Sequence, residues 1–260
     1  MATVLWVTLP FFALVLAGFV AVQLKFLSME AIPGLNSFVL FFALPCLLFR
    51  FGANTPIAQL LDVPLFITYA ACGVILVAFV VACSLNDRIR WNDASLGALV
   101  AAFPNTGFLG VPLLVALLGP SSAGPAIVSI IADLLFTSSL CIALSRMDSA
   151  GEHGFRHAAA NALKGVLANP MPWAVCLGAV FSANEWRLPE AVDKTLGLLA
   201  DAASPVALFT IGAVLARSYA RAHMSPQAAT LMRDYLPVAG VKLVLHPLLV
   251  LLVGTTAIQM

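Results

Sequence analysis

Apolar residues run along this chain in long blocks, without the period of two of a half-buried strand or the 3.6 of a surface helix. Each block is close to the roughly 20 residues that cross a bilayer as a helix. Eight such spans are read, near 4–24, 33–53, 63–85, 94–118, 123–146, 161–183, 191–216 and 236–257. Polar segments separate them, the longer ones at 147–160 and 217–234. The pattern predicts an all-α membrane protein.

Within these blocks a fragment occurs twice, 160 residues apart. Pro45-Cys46-Leu47-Leu48-Phe49-Arg50-Phe51-Gly52-Ala53 lines up with Pro205-Val206-Ala207-Leu208-Phe209-Thr210-Ile211-Gly212-Ala213, with five identities. At the same offset Pro10 falls on Pro170, Val15 on Val175, Gly18 on Gly178, and Glu30-Ala31 on Glu190-Ala191. Leu, Val and Ala matches are cheap in so apolar a chain, so the Pro and Gly matches carry the weight. Paired Pro- or Gly-interrupted apolar segments in two halves point to a transporter built from repeats. Span 6 repeats span 1 with five spans before it, and an odd number of crossings inverts the second copy. Spans 1–3 then correspond to 6–8, related by an axis in the membrane plane. The expected organisation is a first five-helix repeat at 1–147, a cytoplasmic loop at 148–160 and an inverted second repeat at 161–260 with three helices. Pro64 over Pro237 sets an offset of 173 for the third pair, which would start a copy of span 4 near residue 267. By its own symmetry the fold expects 5+5 helices where eight are read, with the last two truncated or supplied by a partner.

Composition agrees. The chain is 62% hydrophobic and only 10% charged, against the roughly 25% charge of soluble domains. Net charge is +1, which offers no bulk field for nucleic acid. The first span lacks a basic leading region, so a cleaved signal peptide is not expected. With the N-terminus outside, inner loops hold nine Lys and Arg (Lys25, Arg88, Arg90, Arg146, Arg156, Lys164, Arg217, Arg221, Arg233) and outer ones three (Arg50, Arg187, Lys194). The positive-inside rule therefore predicts a multi-pass protein of the cell (inner) membrane with its N-terminus outside. Arg50 and Arg217 are expected to snorkel from span ends.

Span 4 carries Pro104-Asn105-Thr106-Gly107 and then Gly110-Val111-Pro112. Each Pro removes a backbone donor and clashes with the preceding turn, so regular helix should fail from Pro104 to Gly107. In lipid such a break survives only inside protein or beside a wet cavity. Asn105 and Thr106 stand where a second half-helix begins, a position for capping its N–H groups. The positive end of that half-helix suits an anionic substrate. Four ionisable groups lie within spans: Asp133 in span 5, Asp201 in span 7, and Lys242 and His246 one turn apart in span 8. Charges at such depth pair with one another or face water, and Lys242 is expected near Asp201 or the cavity.

No GxSxG, HExxH, Walker loop or dinucleotide fingerprint is present, which weighs against enzyme readings. The five cysteines (46, 72, 83, 141, 176) show no CxxC pairing, so no metal is expected.

At Gly34-Leu35-Asn36-Ser37-Phe38-Val39, Leu44-Pro45-Cys46-Leu47-Leu48-Phe49, Pro104-Asn105-Thr106-Gly107, Gly110-Val111-Pro112-Leu113 and Asp201-Ala202 with Ala207-Leu208-Phe209-Thr210-Ile211-Gly212, the chain resembles the auxin efflux carrier family. That family includes plant auxin carriers and bacterial malonate or malate permeases. The resemblance implies ten helices in two inverted repeats, helices 1, 2 and 5 of each acting as scaffold and the broken fourth helices crossing at the substrate site. It places the crossover Asn on Asn105 and the crossover Pro on Pro104 and Pro112.

The leading reading is a secondary carrier of a small organic anion, such as a mono- or dicarboxylate, working by alternating access. Candidate substrate residues are Asn105, Thr106, Pro104, Gly107, Pro112, Pro45 and Pro205. Candidate coupling residues are Asp201, Asp133, Lys242 and His246, with a proton or sodium ion as coupling ion and no cofactor. The lipid bilayer and a homodimer are the further candidate partners. Alternatives are a sodium-coupled symporter of the bile-acid type and a non-transporting membrane subunit or sensor.

Overall fold

The computed structural model describes residues 2–60, 62–145, 164, 167, 170–224 and 235–258. All regular structure among them is helical. Seven helices are long and apolar enough to cross a membrane: Leu5–Gln23, Met29–Asn54, Val63–Ser84, Trp91–Leu118, Ala123–Ser145, Glu190–Ala220 and Tyr235–Thr256. They are spans 1 to 5, 7 and 8. Span 6 is represented by the shorter apolar helix Pro170–Ala183, most of 161–169 lying outside the described residues. Local sequence sets several limits. Asp62 caps span 3 by accepting the Leu65 N–H at 3.0 Å, with Pro64 in the first turn.

Among the described residues, four spans contain one wide π turn each, at Val39–Ala43, Thr106–Gly110, Asp133–Thr137 and Val241–Leu245. In three of them a Pro stands two residues after the turn: Pro45, Pro112 and Pro247. A Pro cannot donate to the carbonyl four residues back, and its ring crowds that carbonyl. Passing the preceding donor back five residues, as Leu44 does to Val39 and His246 to Val241, opens the room the ring needs. Pro10 and Pro205 stand inside helices that stay α-helical, so Pro45 and its repeat partner Pro205 differ in local geometry.

The described chain forms two compact units that interleave along the sequence. The first draws on Met1–Leu60, Asn105–Ile127 and Trp173–Ala229; the second on Leu61–Pro104, Val128–Pro172 and Thr230–Met260. The chain passes from one to the other at Pro104–Asn105, inside the break of span 4. Span 5, which the resemblance puts in the scaffold, packs mainly with spans 3 and 4 in the second unit.

In the first unit spans 1 and 7 cross closely, as do spans 2 and 6. A Cβ on Gly18 would collide with the carbonyl of Phe209, and one on Gly212 with that of Val15. One on Gly178 would collide with the carbonyl of Phe49, and one on Gly52 would lie 2.6 Å from that of Val175. The two crossings share one geometry. At the 160-residue offset, Gly18 and Phe209 become Gly178 and Phe49, and Val15 and Gly212 become Val175 and Gly52. Only glycine lets backbones approach this closely in a membrane.

The core of the second unit is aliphatic, built on Leu76, Val77, Val80 and Val81 of span 3 against Ala94, Ala98, Ala101 and Ala102 of span 4.

Candidate functional site

The break in span 4 occupies Phe103–Asn105, starting one residue and ending two residues earlier than the sequence predicts, because Thr106 and Gly107 already belong to the π turn that opens the second half-helix. Its first half, Trp91–Ala102, ends with the Phe103 N–H bonded to Leu99 at 2.9 Å. The carbonyl of Val100 would normally accept from residue 104, where Pro104 has no hydrogen to give. Lys242 supplies the donor: its Nζ lies 2.8 Å from the Val100 oxygen and 2.8 Å from that of Phe103. A cation at this end also opposes the negative pole of the half-helix. Lys242 is thus the cap of a broken helix, and its observed hydrogen-bond partners are these two carbonyls.

Elsewhere in the second unit Asp133 is 1% exposed and accepts from Thr137 Oγ1 at 3.0 Å and from the Tyr69 hydroxyl at 3.3 Å. The Tyr69 ring lies 5.9 Å from that of His246, which is buried with no hydrogen-bond partner for Nε2 among the described residues. Asp133 lies within electrostatic reach of Lys242, and Lys242 within reach of His246. Three of the four coupling candidates therefore belong to one unit. Two of its members, Asp133 and Lys242, sit on π turns, whose widened backbone frequently marks functional sites.

The fourth, Asp201, belongs to the first unit. Its carboxylate accepts from Arg50 Nη1 at 2.6 Å, so Arg50 is an ion-pair partner rather than a snorkelling end residue. The pair borders a cavity of about 910 Å³ between the ends of spans 2, 6 and 7. The second half of span 4 packs in this unit through Phe108, against Ala43, Leu47, Ala200 and Ala203. These neighbours in sequence of Arg50 and Asp201 set the crossover beside the ion pair.

Asn105 heads this half-helix, but its side chain makes no capping bond. Its backbone oxygen instead accepts from Leu109 at 3.2 Å and Gly110 at 3.1 Å. The carboxamide is exposed and has no hydrogen-bond partner among the described residues, while Thr106, Gly107 and Pro112 further along the half-helix are half-buried. Pro45 is half-buried and Pro205 exposed in the same unit. Pro104 falls in the other. Sequence reasoning missed Tyr69 and Thr137; Thr137, four residues after Asp133, was the readable signal.

The membrane transport protein family matches residues 3–259. A provisionally named malonate transporter of Rhizobium meliloti (strain 1021) is 27% identical over 257 residues, covering 97% of this chain and 77% of that protein. The uncharacterized transporter YfdV of Escherichia coli (strain K12) is 28% identical over 250 residues, 95% of this chain and 76% of its own. Auxin efflux carrier component 8 of Arabidopsis thaliana is 23% identical over 264 residues, 80% of this chain and 71% of its own. With seven long apolar helices among its described residues and a family match along nearly its whole length, this chain belongs to the membrane transport protein family, that of the auxin efflux carriers, and is a multi-pass membrane transporter.

Proposed function

We propose that the chain is a secondary-active carrier of a small organic anion, a mono- or dicarboxylate, recognised at the broken span 4. The observation that carries this reading is the free carboxamide of Asn105 at the head of a half-helix. A capping Asn would have its oxygen committed to the backbone; here both ends of the amide remain for a ligand. The N–H groups and positive pole of the half-helix favour an anion. The exchange of Gly18 and Phe209 with Gly178 and Phe49 supports two inverted repeats and alternating access between them. The malonate assignment of the Rhizobium relative supports the carboxylate class. In this reading the N-terminus faces outside, in the cell membrane.

The test is uptake of labelled malonate into proteoliposomes. Saturable uptake is expected, with Asn105→Ala raising KM about tenfold, the loss of one or two charge-assisted hydrogen bonds. Uptake by mutant and parent with equal KM would reduce the break to a packing kink.

The cluster of buried Asp133, Thr137 and His246 with half-buried Tyr69 favours ion coupling, with Asp133 as the carrier of a proton or sodium ion. Replacing sodium by choline, and separately collapsing the pH gradient, distinguishes the two. Uptake indifferent to both makes the cluster structural.

A further inference from the structure

We infer that the cavity of the first unit is an entry site for a small carboxylate, which binds the open edge of Arg50 in competition with Asp201. This rests on the organic-anion reading and adds a second site to it, apart from Asn105.

The cavity is lined by Arg187 from the segment before span 7 and by Arg50 and Asp201 further in. Asp201 lies eleven residues past Glu190, where span 7 starts, which is roughly 16 Å of helical rise. Polar groups therefore reach from the span's end well into the apolar layer. Arg50 meets Asp201 through Nη1 alone, and no other partner engages its guanidinium among the described residues. A guanidinium presents five donors in a planar fork shaped for a carboxylate, so most of this one is unused. Arg187 has no partner among the described residues either. Lys194 is engaged by Glu190 at 2.5 Å. Asp193 also lines the cavity and opposes an anion, which makes the two arginines necessary rather than redundant. Phe181 stands between Phe49 at 5.4 Å and Trp186 at 5.5 Å, forming an aromatic wall that reports on the site.

The experiment places the full chain in phosphatidylcholine nanodiscs with Trp6, Trp91 and Trp173 changed to Phe, leaving Trp186 as the emitter. Malonate is titrated at constant ionic strength, with chloride as the control anion. A saturable change in emission is expected with malonate only. Arg187→Gln and Arg50→Gln should each weaken binding about tenfold or more, the loss of a charge-assisted contact. Asp201→Asn should tighten it, because the competitor for Arg50 is gone, whereas a merely structural pair would weaken in both variants. An emission change equal in chloride, or weaker binding in Asp201→Asn, overturns the inference. Saturable, Asn105-dependent uptake with a silent Trp186 would refute the entry site and leave the carrier reading standing. A malonate-dependent Trp186 signal in protein that carries no anion would support the site and refute the carrier.

Discussion

The two units place an aspartate inside the membrane by opposite means. In the first, main chains meet: glycines bring spans 1 and 7, and 2 and 6, to backbone contact, and Asp201 is left at a cavity wall with an arginine. In the second, side chains meet: Asp133 is enclosed and satisfied by two hydroxyls, and a lysine from span 8 completes the broken helix. A glycine crossing leaves no side-chain volume to fill and tolerates little rearrangement. A polar cluster needs every member in place but can change protonation or bind an ion. In the proposed reading the first unit would serve as a frame with an anion entrance and the second as the coupling element.

The largest effect should come from filling a crossing. Gly212→Leu drives a side chain into the Val15 carbonyl and the Phe19 amide, at a cost above about 3 kcal/mol, the upper end of ordinary overpacking. Thermal unfolding in detergent should show a large fall or no folded protein. Gly52→Leu should match it, since its neighbours Val175 and Ala179 are the same positions shifted by 160. Gly197→Ala, with nothing within 4 Å, should leave the midpoint unchanged. A tolerated Gly212→Leu would break the contrast between the units.

In the second unit, Asp133→Ala strands the hydroxyls of Thr137 and Tyr69. Each buried unsatisfied group costs about 1–3 kcal/mol, and Asp133→Asn, which keeps an acceptor, should lose less. Lys242→Met leaves the carbonyls of Val100 and Phe103 uncapped, a loss of about 1–3 kcal/mol expressed locally. Hydrogen exchange should quicken around 99–103, and Lys242→Arg should restore protection in part. Unchanged exchange in Lys242→Met would mean that water or a neighbour already serves these oxygens.

Much of this was legible in the sequence because hydrophobic length and Pro–Gly punctuation are local signals. The spans and a break near Pro104 come from short-range pattern, and Gly18, Gly52, Gly178 and Gly212 stand out because they match at one fixed offset. The pairings across the fold did not. Arg50 reads as an end residue, since nothing near it in the chain reveals that span 7 brings Asp201 alongside. Lys242 reads as a charge seeking a charge, because a backbone carbonyl has no sequence signature; the missing N–H of Pro104 was the one available clue. The π turns ahead of Pro45 and Pro247 were likewise unread, although Pro marks them.

The smallest effect is expected at the Arg50–Asp201 pair, and it tests whether the first unit's cavity is wet. The side chains are 35% and 68% exposed, so water should screen the pair if it fills the cavity. A double-mutant cycle with Arg50→Gln and Asp201→Asn should then give a coupling of at most about 1 kcal/mol, as for exposed ion pairs elsewhere. Raising salt toward 1 M should remove most of it, because the screening length falls to about 3 Å. Were lipid tails to fill the cavity, removing one partner would leave a bare charge in hydrocarbon. Each single variant would then cost about 3–5 kcal/mol and be insensitive to salt. A small, salt-sensitive coupling at Arg50–Asp201 beside a large, salt-insensitive loss in Asp133→Ala would establish that the two aspartates sit in different solvents. That difference is the requirement for one unit to admit an anion from water while the other holds an ion away from it.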